Sequence, residues 1–233
     1  MNSKIVLRIP INLTRQEIAE AVARQYGSTY ELGDRHICST VDSFSCAIDI
    51  CHAAENKFTE QGNISQDTLE LIDSCPNNIV LTSNAPGYNA CRQMAQLAQA
   101  LLEIGGTAIM VESSGIAHEK QQWLTRSKSD DVFDIYTLFV TLIEGDECYY
   151  SSGMSNLGKA DVAINLLEDR GLAIYVMNVF NYYRLTEPAI LQDGHTFQPD
   201  IECPIYKLKL RRDRESEAHS LLYNPYGRWH LIN

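Results

Sequence analysis

A long helical pattern that leads directly into a short apolar run constrains the fold of this chain most strongly. Residues 88–104 are rich in Ala, Leu, Met and Gln, and they lie between Pro86-Gly87 and Gly105-Gly106. Proline and glycine commonly mark the two ends of a helix, because proline presets a helical φ and glycine adopts conformations that end a helix. The pattern therefore predicts a helix over 88–104 and a strand over 107–111.

The rest of the chain shows the same alternation of strand and helix patterns. Ile5–Ile11 alternates as a strand, and Thr14-Arg15-Gln16-Glu17 has the spacing of a capping box, in which the Thr hydroxyl and the Glu carboxylate satisfy free amides at a helix start. Periodicity and turn residues predict the remaining elements. They are helices near 65–75 and 118–126, strands over 79–82, 133–143, 147–152 and Asp161–Asn165, and closing strands over 205–211 and Arg228–Ile232.

Two segments fit both a helix and a strand. One or two strands are predicted over 36–50, but the apolar spacing from Phe44 to Phe58 also fits a helix. Residues 166–185 contain β-branched residues that favour a strand, whereas their length and the spacing of their apolar positions favour a helix. We expect a helix there.

The order of the N-terminal elements, strand-helix-strand-strand-helix-strand, is that of the split βαβ (ferredoxin-like) arrangement. We therefore expect an α+β fold with mixed or antiparallel sheets and flanking helices. A chain of 233 residues, 45% of them apolar, can bury one large core. The expected organisation is a single compact domain over 1–233, with a subdivision into 1–112 and 113–233 as the alternative.

The charge of the chain favours some classes of partner over others. Asp and Glu number 30 against 19 Lys and Arg, which gives a net charge of −11. A protein with this negative net charge repels nucleic acid and anionic membranes and attracts basic proteins. No apolar run reaches the ~18 residues of a membrane-spanning helix. The first residues lack the apolar core of a signal peptide, and the seven cysteines show no disulfide or zinc spacing. We therefore expect a cytoplasmic protein with a protein partner, and neither a nucleic-acid nor a membrane partner.

Several apparent active-site motifs are better explained as turns. The stretch from Gly153 to Gly158 is close to a nucleophile elbow around Ser155, but its second glycine comes one residue late for that strained turn. The six histidines show no spacing typical of a metal site, and the sequence has no glycine-rich phosphate loop. We therefore expect a turn at 153–158, no cofactor and no metal.

In the stretch AIMVESSGIAHEKQQWL, a buried strand ends at Glu112. Ser113 or Ser114 is suited to cap a following helix that holds His118, and the next glycine permits the turn. Catalysis by a Ser–His pair would need a third group to orient the imidazole. The scaffold interpretation is favoured, and a hydrolase or transferase site near Glu112, His118 and His195 is the alternative.

Four motifs of the chain occur in the order found in a known bacterial family. They are the helix at 94–104, Glu112-Ser113-Ser114-Gly115 with Trp123 after it, Gly153-Met154 with Gly158, and Asp193-Gly194-His195-Thr196. Over roughly 88–200 the chain resembles a bacterial domain-of-unknown-function family. Where that family tends to have a carboxylate after the equivalent of Gly158, this chain has Lys159 and then Asp161. The resemblance implies an α+β bacterial cytosolic protein and supplies no reaction.

A non-enzymatic acidic protein-binding module explains these observations best. Its most concrete form is an immunity protein that neutralises a co-encoded toxin or effector, and the alternatives are the hydrolase or transferase and a structural or regulatory subunit. Residues 101–150 hold nine acidic residues and three basic ones. Clustered exposed carboxylates accelerate the encounter with a basic partner. The expected partner-binding residues are Asp130, Asp131 and Asp134 near the start of the predicted strand 133–143, and Glu144, Asp146 and Glu147 around the turn that follows it.

Overall fold

In the residues that the structure describes, two β-sheets of seven and six strands form the framework of the protein. The computed structural model describes residues 3–53, 58, 64–213, 216–217 and 219–233. The strands of the first sheet are β1 (Ile5–Ile11), β2 (Tyr30–Leu32), β3 (His36–Ser39), β4 (Ser45–His52), β5 (Asn77–Ser83), β6 (Ala108–Val111) and β7 (Ile116–Glu119). Their spatial order is β2-β3-β4-β5-β1-β6-β7, and each neighbouring pair is antiparallel.

The second sheet is built from the C-terminal half of the chain. Its strands are β8 (Thr141–Glu144), β9 (Cys148–Ser152), β10 (Asp161–Asn165), β11 (Thr196–Phe197), β12 (Tyr206–Arg211) and β13 (Arg228–Ile232). Their order is β11-β12-β13-β10-β9-β8. β10 and β13 are parallel, and the other neighbouring pairs are antiparallel.

Six helices accompany the sheets in the described part of the chain. They are α1 (Arg15–Tyr26), α2 (Gln66–Asp73), α3 (Tyr88–Glu103), α4 (Lys120–Arg126), α5 (Val132–Phe139) and α6 (Arg170–Thr186). None of these described helices combines the length and the apolar character that crossing a bilayer would require. The α+β class, with mostly antiparallel sheets and flanking helices, is thus confirmed. The ferredoxin-like order of the N-terminal part and the single-domain organisation stay predictions.

The larger core lies on one face of the first sheet. The alternate residues Ile5, Leu7, Ile9 and Ile11 of β1 are fully buried, because α1 and α3 pack over that face. Each such side chain contributes roughly 2–3 kcal/mol when it leaves water. The capping box at the start of α1 is confirmed: the backbone amide of Glu17 donates to Oγ1 of Thr14, and the Thr14 amide donates to Oε2 of Glu17 at 2.8 Å.

A second core lies between α6 and the second sheet. Val162 and Ile164 of β10 and Leu231 of β13 pack against the buried face of α6, which includes Val176 and Phe180. The helix predicted over 166–185 is confirmed, with a later start at Arg170. Asp169 caps it, because its Oδ1 accepts the amide hydrogen of Leu172 at 3.0 Å.

The strand predicted over 133–143 is wrong in its first half. Residues Val132–Phe139 form α5, and only Thr141–Glu144 form a strand. The helix begins because Asp131 accepts a hydrogen bond from the Phe133 amide at 2.9 Å. Its buried residues follow the 3.6-residue period of a helix; they are Ile135, Tyr136, Leu138 and Phe139.

Strand pairing decides two other local predictions. The strands predicted over 36–50 are confirmed as β3 and β4, and the helix alternative after Phe44 is wrong, because β4 pairs with β5 from Ala47 to His52. The helix predicted near 118–126 begins only at Lys120, and His118 belongs to β7. Ser113 and Ser114 therefore lie in the turn between β6 and β7 and cap no helix.

Candidate functional site

The turn between β9 and β10 of the second sheet contacts the turn that follows β6 of the first sheet. As predicted, residues 153–158 form a turn, here a short 3-10 helix over Met154–Leu157 whose residues are all buried. The carbonyl oxygen of Asn156 accepts the Gly87 amide at 2.8 Å and lies 3.2 Å from Sγ of Cys91, while its side-chain amide donates to the carbonyl oxygen of Phe139 at 3.2 Å. The turn thus contacts both the start of α3 and the end of α5.

At Gly153, the motif Gly153-Met154 comes into direct contact with the motif Glu112-Ser113-Ser114-Gly115. Its φ is +110°, and a Cβ atom there would lie 2.2 Å from the carbonyl oxygen of Phe139 and 2.6 Å from Cβ of Ser114. Beside it, the Ser152 hydroxyl donates to the carbonyl oxygen of Ser114 at 3.3 Å. The sequence requires glycine here for two reasons, the positive φ and the close approach of another backbone. Ser155 is also buried, so it is not presented as a nucleophile.

Asp161, at the start of β10, carries a wholly buried carboxyl group. Its Oδ1 accepts hydrogen bonds from the Ser151 hydroxyl at 3.0 Å and from the Met154 amide at 3.1 Å, and its Oδ2 accepts from the Asn224 side chain at 2.6 Å. Burial raises the pKa of Asp161 to about 6, while these bonds and the charge of Arg228 act in the opposite direction. The group links β9, the turn and the C-terminal loop.

Two buried guanidinium groups lie in the same half of the molecule. Arg184 of α6 donates to the carbonyl oxygen of Ala160 at 2.8 Å and to the side chain of Asn181, and burial lowers its pKa to about 10. Arg228 lies 3.7 Å from Asp213, and its guanidinium carbon is 4.3 Å from the ring centre of Tyr150. These side chains hold backbone and ring partners inside the fold, so the buried polar network connects segments of the chain.

The structure does not assemble Glu112, His118 and His195 into a site. Glu112 follows β6 on the face of Met110 and pairs with Arg8 at 2.5 Å. His118 lies opposite Ile109 in the β6–β7 ladder and so projects from the other face of the sheet. His195 is exposed beside β11 of the second sheet.

His118 is held as a neutral core residue. Its Nε2 lies 2.9 Å from the carbonyl oxygen of Leu138, its Nδ1 lies 3.3 Å from Oε1 of Gln122, and its ring stacks edge-on against Trp123. Burial lowers the pKa of His118 to about 4, although both contacts act in the opposite direction. Across the described ranges, no cluster of three or more His, Cys, Asp or Glu side chains could hold a metal ion.

The six predicted partner-binding carboxylates form two groups that α5 and β8 separate along the chain. At the start of α5, Asp130 is exposed and pairs with Arg92 at 2.6 Å, Asp131 caps the helix, and Asp134 lies in the first turn. In the β8–β9 hairpin, Glu144 lies 3.6 Å from Arg170. Asp146 and Glu147 are exposed in the turn of that hairpin.

Exposed aromatic residues beside the first group were not predicted from the sequence. Phe133 and Tyr182 are 38% and 39% exposed, and their ring centres are 6.3 Å apart across α5 and α6. Phe133 lies between Asp131 and Asp134 in the first turn of α5. The strand interpretation of 133–143 hid the position of Phe133 between Asp131 and Asp134 in a first helical turn, and its contact with Tyr182 of α6 is a tertiary one. The α5–α6 surface is defined by these residues: Asp130, Asp131, Phe133, Asp134 and Tyr182.

Comparison with known proteins found no matching family model, no matching curated protein and no matching solved structure. The resemblance to a bacterial domain-of-unknown-function family therefore stays a prediction.

Proposed function

We propose that this chain is a non-enzymatic module that binds a basic protein partner through the α5–α6 surface. The observation that carries the proposal is the exposed aromatic pair Phe133 and Tyr182 with carboxylates directly beside it. Aromatic residues supply much of the binding energy of protein interfaces, and a charged rim around them sets orientation and partner choice. A helix start fixes both kinds of group in one geometry, which lowers the entropy lost on binding.

The carboxylates of this surface are not equivalent. Arg92 already neutralises much of the charge of Asp130 through its 2.6 Å contact. Asp131 is exposed, and its Oδ1 is the oxygen that accepts the Phe133 amide. Asp131 and Asp134 therefore carry most of the attraction for a basic partner, and the net charge of −11 adds a long-range contribution that salt weakens.

The most concrete form of this function is an immunity protein that resides in the cytoplasm and neutralises a co-encoded toxin or effector. Three observations support this form: the acidic composition, the exposed aromatic pair, and the separation of Glu112, His118 and His195 in the fold. The test is co-expression of the chain with the toxin-like product of a neighbouring gene. Growth should be restored by the chain, and a neighbouring gene whose product the chain neither binds nor neutralises would contradict the immunity form.

The surface itself is tested by kinetics with that purified product. Asp134→Lys should slow association and flatten its salt dependence, whereas Phe133→Ala with Tyr182→Ala should mainly speed dissociation. The matched control is Asp146→Lys, which makes the same charge change in the exposed turn between β8 and β9. If the control slows association and Asp134→Lys does not, the partner binds at the hairpin group Glu144, Asp146 and Glu147 instead.

A further inference from the structure

One face of the second sheet carries no helix in the part of the chain that the structure describes. α6 covers the face that carries Val162 and Ile164, and a groove of about 1150 Å³ lies on the opposite face along β10 and β13. Ala163 and His230 are among the residues that line it, although Ala163 itself is fully buried. On this face the guanidinium group of Arg228 reaches across β10 to the ring of Tyr150 on β9.

One end of this groove is cationic. Arg211 of β12 lies opposite Arg228 of β13, and Arg211 and Arg212 are both exposed at the groove. Arg228 lies deeper, 3.7 Å from the buried carboxylate of Asp213. The two exposed guanidinium groups are therefore the ones placed to meet a ligand at this end, and such groups bind carboxylates in bidentate geometry.

The other end of the groove is acidic. Glu147 precedes β9 and Glu168 follows β10, and both line the groove beside Asn165. Asn233 donates to Oε1 of Glu168 at 3.2 Å, which places the C-terminal residue of the chain at this end. Along the strands, the row of Arg211 and Arg228 is four residues from the row of Cys148 and Asn165, which adjoins Glu147, a distance of about 13 Å at ~3.3 Å per residue. Across the sheet, Arg211 on β12 and Glu147 before β9 are three strand spacings apart, ~14 Å at ~4.8 Å per spacing.

We propose that this groove binds a short extended peptide, with its terminal carboxylate at Arg211 and Arg212 and its terminal amine at Glu147 and Glu168. The ends of the groove are about 13 Å apart along the strands and roughly 19 Å apart on the diagonal from β12 to β9, which an extended chain of about four to six residues spans at ~3.4 Å per residue. The volume of about 1150 Å³ is slightly above the roughly 300–1,000 Å³ of most small-ligand sites, which leaves room for a short peptide. A small anion would leave the acidic end unpaired, and a nucleic-acid strand would meet repulsion at Glu147 and Glu168. This site is separate from the α5–α6 surface.

Calorimetric titration of the full chain with penta-alanine tests the proposal. The probe is used with both termini free, with an acetylated amine, and with an amidated carboxylate. We expect the free form to bind, and each blocked form to bind about three- to tenfold more weakly, as expected for partly exposed ion pairs. Equal binding of all three forms, or no binding of the free form, would overturn the proposal.

Two pairs of substitutions locate each end of the peptide. Arg211→Gln with Arg212→Gln should weaken the free and acetylated forms and leave the amidated form unchanged. Glu147→Gln with Glu168→Gln should weaken the free and amidated forms and leave the acetylated form unchanged. The wild-type peptide series remains decisive if a variant fails to fold, and far-UV circular dichroism checks folding. The assignment would be contradicted if neither pair of substitutions changed the affinity for penta-alanine. It would also be contradicted if an oligothymidylate bound this face more tightly than the peptide.

Discussion

The side chain of Asn224 donates a 2.6 Å hydrogen bond to the buried carboxylate of Asp161, 63 positions earlier in the chain. Its Nδ2 also lies 3.1 Å from the carbonyl oxygen of Lys159. This one side chain therefore connects the C-terminal loop to Lys159 and Asp161 at the start of β10. Without it, the buried carboxylate of Asp161 would lose its shortest hydrogen bond.

Asn224→Ala should lower the free energy of unfolding by roughly 2–3 kcal/mol, because it leaves a buried charged acceptor without one of its donors. The matched control is Asn233→Ala, which removes an exposed side-chain hydrogen bond to Glu168. This control should cost less than about 0.5 kcal/mol of stability. Urea denaturation at pH 7 measures both. Equal effects of the two substitutions would show that the Asp161 network contributes little to stability.

Asp161 should make the protein less stable as pH rises from about 4 to about 6. Its pKa in the folded state is about 6, above the ordinary value of 3.8, so the folded protein holds a proton that the unfolded chain has lost. Stability from this group is therefore fully present below pH 4 and lost as pH passes through 6. Asp161→Asn should remove this contribution, so that the stability of the variant rises with pH between about 4 and 6.5 through His118, as measured by urea denaturation at intervals between pH 4 and 7.

His118 should change the stability of the protein in the opposite direction over nearly the same pH range. Its pKa in the folded state is about 4, below the ordinary value of 6.5, so the unfolded chain takes up a proton first as pH falls. Stability from this group is present above pH 6.5 and is lost as pH falls toward 4. His118→Gln should therefore expose the slope of Asp161 alone, with stability falling as pH rises. Parallel pH profiles of this variant and the wild type would contradict the neutral, buried state of His118.

Gly153→Ala should be far more damaging than Gly87→Ala. Both glycines have a positive φ, but a Cβ at Gly153 would lie 2.2 Å from the Phe139 carbonyl oxygen, whereas a Cβ at Gly87 would have no atom within 4 Å. Gly87→Ala carries only the backbone strain of about 1–2 kcal/mol. Gly153→Ala adds a clash that separates the two turns, so we expect loss of more than about 3 kcal/mol or failure to fold. The melting temperatures of the two variants give the comparison.

Asp131→Ala should reduce both stability and partner binding, whereas Asp134→Ala should act mainly on binding. Asp131 caps α5 through the Phe133 amide, and loss of a cap costs about 1 kcal/mol. Asp134 makes no cap bond and supplies charge near the positive end of the helix, worth a few tenths of a kcal/mol. Thermal denaturation and association kinetics, measured on the same samples, separate the two effects. Asp134→Ala with wild-type association kinetics would remove Asp134 from the interface.

Local signals in the sequence determined the elements whose evidence lies within a few residues. The Thr14–Glu17 capping box, the helix that begins at Tyr88 and the strand Asp161–Asn165 all follow from short-range hydrogen bonding and apolar period. The strand prediction for residues 133–143 failed because a continuous apolar run fits a buried strand and a buried helix equally well. The Asp131 cap and the packing of α5 against α3 and α6 decided between them.

Only the tertiary structure decided what lies beside what. The sequence places Gly153 and Ser114 in separate turns. The fold brings these turns so close together that a Cβ atom added at Gly153 would lie 2.6 Å from Cβ of Ser114. It also put the aromatic ring of Phe133 beside Tyr182, and it separated Glu112 from His118 on two faces of one sheet. Such relationships depend on strand order and helix packing, which follow from the burial of the whole apolar surface, and no short stretch of sequence contains that information.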